Sequence, residues 1–168
     1  MTLSMYQASV PVLLRALNNL SAILTKGAAS AEARKIDPSV LINDRLAPDM
    51  LPLSRQVQIA CDGATRGACR LAGEPIPSRP DTETTFDELQ ARIAVTIEFL
   101  KTFKPEQIDG SEGRTVVMPM RDGEITFTGQ EFLFGFVLPN VYFHVTTAYL
   151  ILRHNGVELG KADYIGSK

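Results

Sequence analysis

The sequence predicts a mainly α protein, a four-helix bundle with a small β-hairpin ahead of its last helix. Three observations carry this. Apolar residues recur at intervals of three and four through four long stretches. Helix-start signatures stand at Thr85 and Thr128, each with a glutamate three residues on. Finally, Asp122-Gly123 lies between two short β-type runs, which marks a hairpin. No repeat, low-complexity tract or linker interrupts the 168 residues, so one domain over 1–168 is expected.

The first helix is expected over residues 3–26, with Tyr6, Val10, Leu13, Leu14, Leu17, Leu20 and Leu24 on one face. Pro11 starts its regular part or kinks it. Gly27 is expected to close it, and Ser30 to cap a short piece over 31–35. Residues 38–51 read as a compact connection. Pro52 suits the first turn of the next helix, which places Val57, Ala60, Cys61, Ala64, Ala68 and Leu71 inward and ends at Gly73. These small side chains allow a neighbouring helix to approach closely. A proline-rich crossover over 74–83 follows. Thr85 and Glu88 then open a helix that buries Leu89, Ile93, Ile97, Leu100 and either Val95 or Thr96. After the hairpin, Thr128 and Glu131 open the last helical segment, Pro139 re-enters or kinks it, and Gly156 stops it. The tail over 157–168 is expected to add no further element.

Composition excludes several functions. Net charge is −2, and no basic cluster exceeds two residues, so nucleic acid is not an expected partner. The N-terminus lacks a basic, apolar secretion signal. No stretch is expected to approach the roughly 18 apolar residues of a membrane span. Cys61 and Cys69 are eight residues apart in one expected helix, hence about 12 Å apart and beyond disulfide reach. They read as free, buried thiols in a reducing, cytoplasmic setting.

The common catalytic signatures are absent: no phosphate-binding glycine loop, no G-x-S-x-G, no C-x-x-C and no H-E-x-x-H. Two histidines cannot make a three-histidine metal site. The segment over 139–156 is the most informative. On a helix, Asn140, His144 and Thr147 share one face, and a polar stripe inside an apolar helix needs partners. His154 falls off that face, at the helix end, where its charge suits the dipole. Gln56 and Gln58 lie on opposite sides of their helix, so one is expected to be solvated. The other, read as Gln58, would point at His144. Asp49 reads as a turn residue and Asp62 as solvent-facing, each a conceivable carboxylate ligand. Tyr6, Tyr142 and Tyr149 are pocket-lining candidates, and Lys161, Asp163 and Tyr164 make the tail a candidate functional loop.

Residues 3–11 (LSMYQASVP), 46–50 (LAPDM), 56–58 (QVQ), 143–153 (FHVTTAYLILR) and 160–166 (GKADYIG) together resemble a bacterial family catalogued as a domain of unknown function. That family is placed among the DinB/YfiT-like metalloenzyme relatives. The resemblance spans essentially the whole chain. It implies a four-helix bundle and a homodimer. It also implies a divalent metal held by one histidine on the second helix and two in H-x-x-x-H on the last, with thiol transfer or small-molecule processing as the activity. Matching the Leu152-Arg153 pair to that pattern puts His144 on one metal histidine, Asn140 on the other, Thr147 on a following glutamine and Gln58 near the second-helix histidine. By this match His144 alone of the three metal ligands is retained, and neutral amides are weak ligands.

Two readings follow. The chain is a small-molecule-binding protein or enzyme with a bundle-centre pocket at His144, Asn140, Gln58 and Thr147. Alternatively it is a non-catalytic interaction or stress-response module whose polar core groups pair with one another. A ligand-binding loss in His144→Ala with the fold intact would favour the first. A lowered melting temperature alone would favour the second. The run Phe132, Leu133, Phe134, Phe136, Val137 is apolar nearly all round, as a deeply buried helix or a dimer interface would be.

Overall fold

The computed structural model describes residues 3–120 and 122–166, the side chain of Met120 excepted. Four long helices form the bundle: α1 (Met5–Ala33), α3 (Leu53–Ala72), α4 (Phe86–Lys101) and α7 (Leu138–His154). Going round the bundle, α1 neighbours α4 and α7, and α3 neighbours the same two. Short helices α2 (Pro38–Asn43), α5 (Pro105–Ile108) and α6 (Gly129–Phe132) lie in the connections. The core is aliphatic, with Leu13, Leu17, Leu20, Leu24, Val57, Leu89, Ile93, Val141 and Ile151 all sequestered from solvent.

The caps expected at Thr85 and Thr128 form, the one expected at Ser30 does not, because Ser30 lies inside α1, and Ser4 supplies a further one. Ser4 caps α1 and Thr85 caps α4 through reciprocal bonds with Gln7 and Glu88, which satisfy otherwise unpaired backbone N–H groups. Gly73 takes the left-handed conformation (φ 75°), and the Glu74 N–H returns to the Cys69 carbonyl. Strands β1 (Thr115–Met120) and β2 (Gly123–Thr128) pair antiparallel, Thr115 opposite Thr128 and Met120 opposite Gly123. Arg121, in the turn, lies outside the described residues. The hairpin turns Val116 and Met118 inward. Its Phe127 packs on Phe132 and Phe136, so it buttresses the approach to α7.

Four expectations need correction. Gly27 does not close the first helix. α1 runs through it because Gly27 is where α1 meets Leu152 and Phe86, and a Cβ there would stand 3.1 Å from both Leu152 methyl groups. The stop comes at Lys35 (φ 54°), where the N–H groups of Lys35 and Ile36 fold back to Glu32 and Ala31. Pro11 sits inside α1 on its exposed side. The tail does form an element, α8 (Lys161–Ile165), pinned to α1 by Arg15 to the Ile165 carbonyl, Asn19 to the Tyr164 carbonyl and Lys26 to Asp163. By length and hydropathy alone, two helical stretches, Met5–Ala33 and Gly129–His154, meet the criterion for a membrane span. Both supply core helices of the bundle.

Between α6 and α7 the helix widens into a π-turn, Leu133–Val137, in which the Leu138 N–H reaches back five residues to Leu133. Pro139, which has no N–H to give, follows at once. The close approach of α3 begins at this widened turn, where Gly67 meets Val137, and such turns are frequent at functional sites.

Candidate functional site

Helices α3 and α7 meet along a seam of small residues. Gly63 and Gly67, four apart, face α7, and Cβ atoms there would stand 2.9 Å from the Asn140 amide nitrogen and 2.5 Å from a Val137 methyl group. Close backbone approach brings the polar groups of the two helices within bonding distance.

At one end of the seam, His144 Nδ1 lies 2.7 Å from Gln56 Oε1. The Gln56 amide nitrogen donates to the Leu51 carbonyl (2.8 Å), which turns its oxygen toward the imidazole. Nδ1 therefore carries the proton, and Nε2 keeps its lone pair. The imidazole sits edge-on to Phe143 and is half-buried. Burial holds its pKa below the ordinary histidine value. At neutral pH it is an uncharged ring with an acceptor nitrogen, suited to taking a proton from a bound molecule. The lowered pKa also predicts pH-dependent stability. The unfolded chain binds the proton more readily, so His144 contributes fully above about 6.5 and that contribution is lost as pH falls below it. Urea midpoints measured from about pH 7.5 to 5 should decline in wild type and stay flatter in His144→Gln. Equal slopes would mean that the ring is not desolvated.

The sequence's choice between the two glutamines reverses. Gln56 is the partner of His144. Gln58 turns to the other side of α3, where it donates to Glu83 (2.8 Å) and accepts from Arg55. Neither is solvated, at 1% and 2% exposure, because α3 is covered by α7 on one flank and by the crossover over 74–83 on the other. Thr147 is buried and bonds the Phe143 carbonyl of its own helix (2.8 Å). Of the four residues expected at one site, His144 and Asn140 meet α3 directly, Thr147 gives its hydroxyl to its own helix and Gln58 faces the crossover.

Asn140 lines a cleft of about 530 Å³ bounded by α3, the π-turn and β1. Its floor is apolar (Met118, Phe132, Phe136, Val137), and Arg55, Arg66 and Arg70 stand on its α3 wall. This cleft opens at the edge of the bundle rather than at its centre. A second groove of about 500 Å³, holding Tyr142 and Tyr164, lies between α1, α7 and α8, but its Arg15 and Asn19 are already taken by α8 carbonyls.

Behind the cleft is a network that sequence reasoning missed. The Arg92 side chain, 2% exposed, pairs with Asp62 (2.7 Å), Asp81 (2.9 Å) and Glu83 (3.0 Å). Asp62 is thus an anchor, not the solvent-facing residue expected. Burial alone would lower the Arg92 pKa, but the hydrogen bonds and charges of Glu83 and Asp62 raise it above the ordinary value. A signal existed: Arg92 falls in phase with Leu89, Ile93 and Thr96 on the buried face of α4.

The donor set does not fit a divalent metal. Among the described residues no group of three or more His, Cys, Asp or Glu is placed to hold a metal ion, and the three carboxylates that do gather, Asp62, Asp81 and Glu83, are engaged by Arg92. His144 offers one nitrogen beside a neutral amide, and burial pushes the Cys61 thiol up to about 12, so no thiolate is available.

Comparison with known proteins identifies the family and a similar solved structure. The family model described as "Domain of unknown function (DUF1993)" matches residues 5–165. The chain belongs to the DUF1993 family. Among solved structures it resembles a DinB family member protein from Shewanella denitrificans, at 44% identity over 97% of this chain and 92% of that one, with a TM-score of 0.90. The helical fold with its hairpin before the last helix is therefore DinB-like, as the sequence resemblance implied. Comparison with curated proteins gives no match.

Proposed function

We propose that this DUF1993 protein binds a small organic molecule, without a metal, in the cleft between α3 and the π-turn. The cleft itself carries the reading: concave, apolar-floored, with a few polar groups at its rim and of the size small ligands occupy. Asn140 supplies a hydrogen-bonding amide at one end, and His144 sits one turn further along α7. By the sequence resemblance, Asn140 stands at a position that DinB-like proteins give to a metal histidine, so the seam would hold its ligand through an amide. Ile59 lines the cleft and is half-buried, so Ile59→Trp fills it without touching the core. Fragments that bind wild type in ligand-observed NMR should lose binding in Ile59→Trp at an unchanged melting temperature. Fragments that bind both proteins alike would place the site elsewhere.

A structural network is the second reading, and one observation favours it: His144, Gln56 and Leu51 satisfy one another. His144→Ala separates the two. Loss of fragment binding with the fold retained puts His144 in the site, whereas a lowered melting temperature alone makes it a register-fixing group.

A homodimer and a cytoplasmic location belong to the same proposal. Phe143 and Leu150, two turns apart on α7, are 55% and 39% exposed, an apolar outer face suited to a second copy. Cys61 and Cys69 are free and buried, in keeping with a reducing compartment. Light scattering should give twice the chain mass, falling to the monomer in Phe143→Glu. A monomeric wild type removes the dimer.

A further inference from the structure

We propose that the cleft takes an organic anion with a flat apolar body, its carboxylate or sulfonate held between Arg66 and Arg70. This rests on the cleft being a ligand site, and adds the chemical class of what enters.

The charge pattern around the cleft is uneven. Four guanidiniums (Arg55, Arg66, Arg70, Arg92) face three carboxylates (Asp62, Asp81, Glu83), in a chain whose net charge is −2. Arg92 engages all three carboxylates, Arg55 shares Asp81, and Arg66 shares Asp62 at 3.0 Å. Arg70 pairs with no carboxylate among the described residues. It stands one turn from Arg66 on the same face of α3, where like charges disfavour each other. Partial burial, and then the charge of Arg66, lower its pKa. Its guanidinium lies over the Phe132 ring, 5.9 Å from the centroid, so one face is desolvated and its N–H edge remains for a ligand.

Below the arginines the cleft is aromatic. Phe132 and Phe136 stack at 5.9 Å and 12°, and Phe136 is partly exposed to the cleft. A planar ring laid on Phe136 puts an attached acid group toward α3. There a guanidinium fork matches a carboxylate or sulfonate with two parallel hydrogen bonds. The anion relieves the Arg66–Arg70 repulsion, which an uncharged ligand of the same shape cannot do.

The test compares naphthoate with naphthamide, which share a ring system and differ in charge, by calorimetry and amide chemical-shift mapping. Naphthoate should bind at least tenfold more tightly than naphthamide and weaken with salt, with shifts at Gly63, Gly67 and Asn140. Arg70→Met, which keeps the aliphatic stem over Phe132, should weaken naphthoate about tenfold and leave naphthamide unchanged. The wild-type comparison of the two probes needs no variant to fold. Equal affinity for both probes in the cleft overturns the anion assignment and leaves the small-molecule reading standing. Arg70→Met weakening both equally does the same. Binding of neither, with no other fragment entering the cleft, overturns both.

Discussion

Arg92→Ala should destabilise the protein by about 3 kcal/mol, read as a lower urea midpoint with an unchanged denaturant slope. The guanidinium is buried and carries three carboxylates from α3 and the crossover. Removing one partner of a buried pair costs about 3–5 kcal/mol because the remaining charges lose their compensation. The lower end applies because each carboxylate keeps another partner: Asp62 has Arg66, Asp81 has Arg55 and Glu83 has Gln58. Burial raises the pKa of Asp81 and Glu83, but the arginine contacts outweigh it and hold both below the usual carboxylate range. Their contribution is therefore present above about pH 4.5 and is lost as acid protonates them. Arg92→Ala should flatten that acid limb as well as lower the plateau. A loss under about 1 kcal/mol would mean that the crossover is held by its prolines rather than by charge.

Gly67→Ala should destabilise by about 1–2 kcal/mol, although alanine is the better helix former by up to about 1 kcal/mol. The added methyl stands 2.5 Å from one Val137 methyl group and 3.2 Å from the other, and a valine in helical backbone has one strongly preferred rotamer, so turning it away is itself costly. Overpacking of this kind costs about 1–3 kcal/mol, which exceeds the propensity gain. Val137→Ala removes the obstacle. Gly67→Ala should then be neutral or stabilising in that background, a coupling that a double-mutant cycle measures directly. Additive effects would show that α3 and α7 do not meet closely at Gly67.

The long helices, the caps at Thr85 and Thr128 and the hairpin were legible because each rests on local chemistry. Thr85 with Glu88 makes its cap wherever the chain goes, and Gly73 ends α3 on its own account. What escaped depends on which surfaces meet. Gly27 reads as a helix stop, yet it is a contact point because Leu152, far along the chain, comes down on it. The two glutamines look mutually exclusive on a helix with one buried side, but the crossover gives α3 a second covered flank, and Gln56 and Gln58 are both buried. The resemblance drew attention to His144 and Asn140 on α7, yet carried Gln58 into a site where Gln56 stands. Arg92 was passed over because an arginine in an apolar phase reads as a solvated residue until three carboxylates are seen to converge on it.

The central claim is that the α3–α7 cleft binds small molecules without a metal. The amide correlation spectrum of EDTA-treated protein, titrated with a fragment library, tests it most directly. The account predicts saturable shifts confined to Gly63, Gly67, Phe136, Val137 and Asn140, with the same affinity after a divalent ion is restored. Shifts that arise only with the metal present, or that gather instead around Tyr142 and Tyr164, would contradict it.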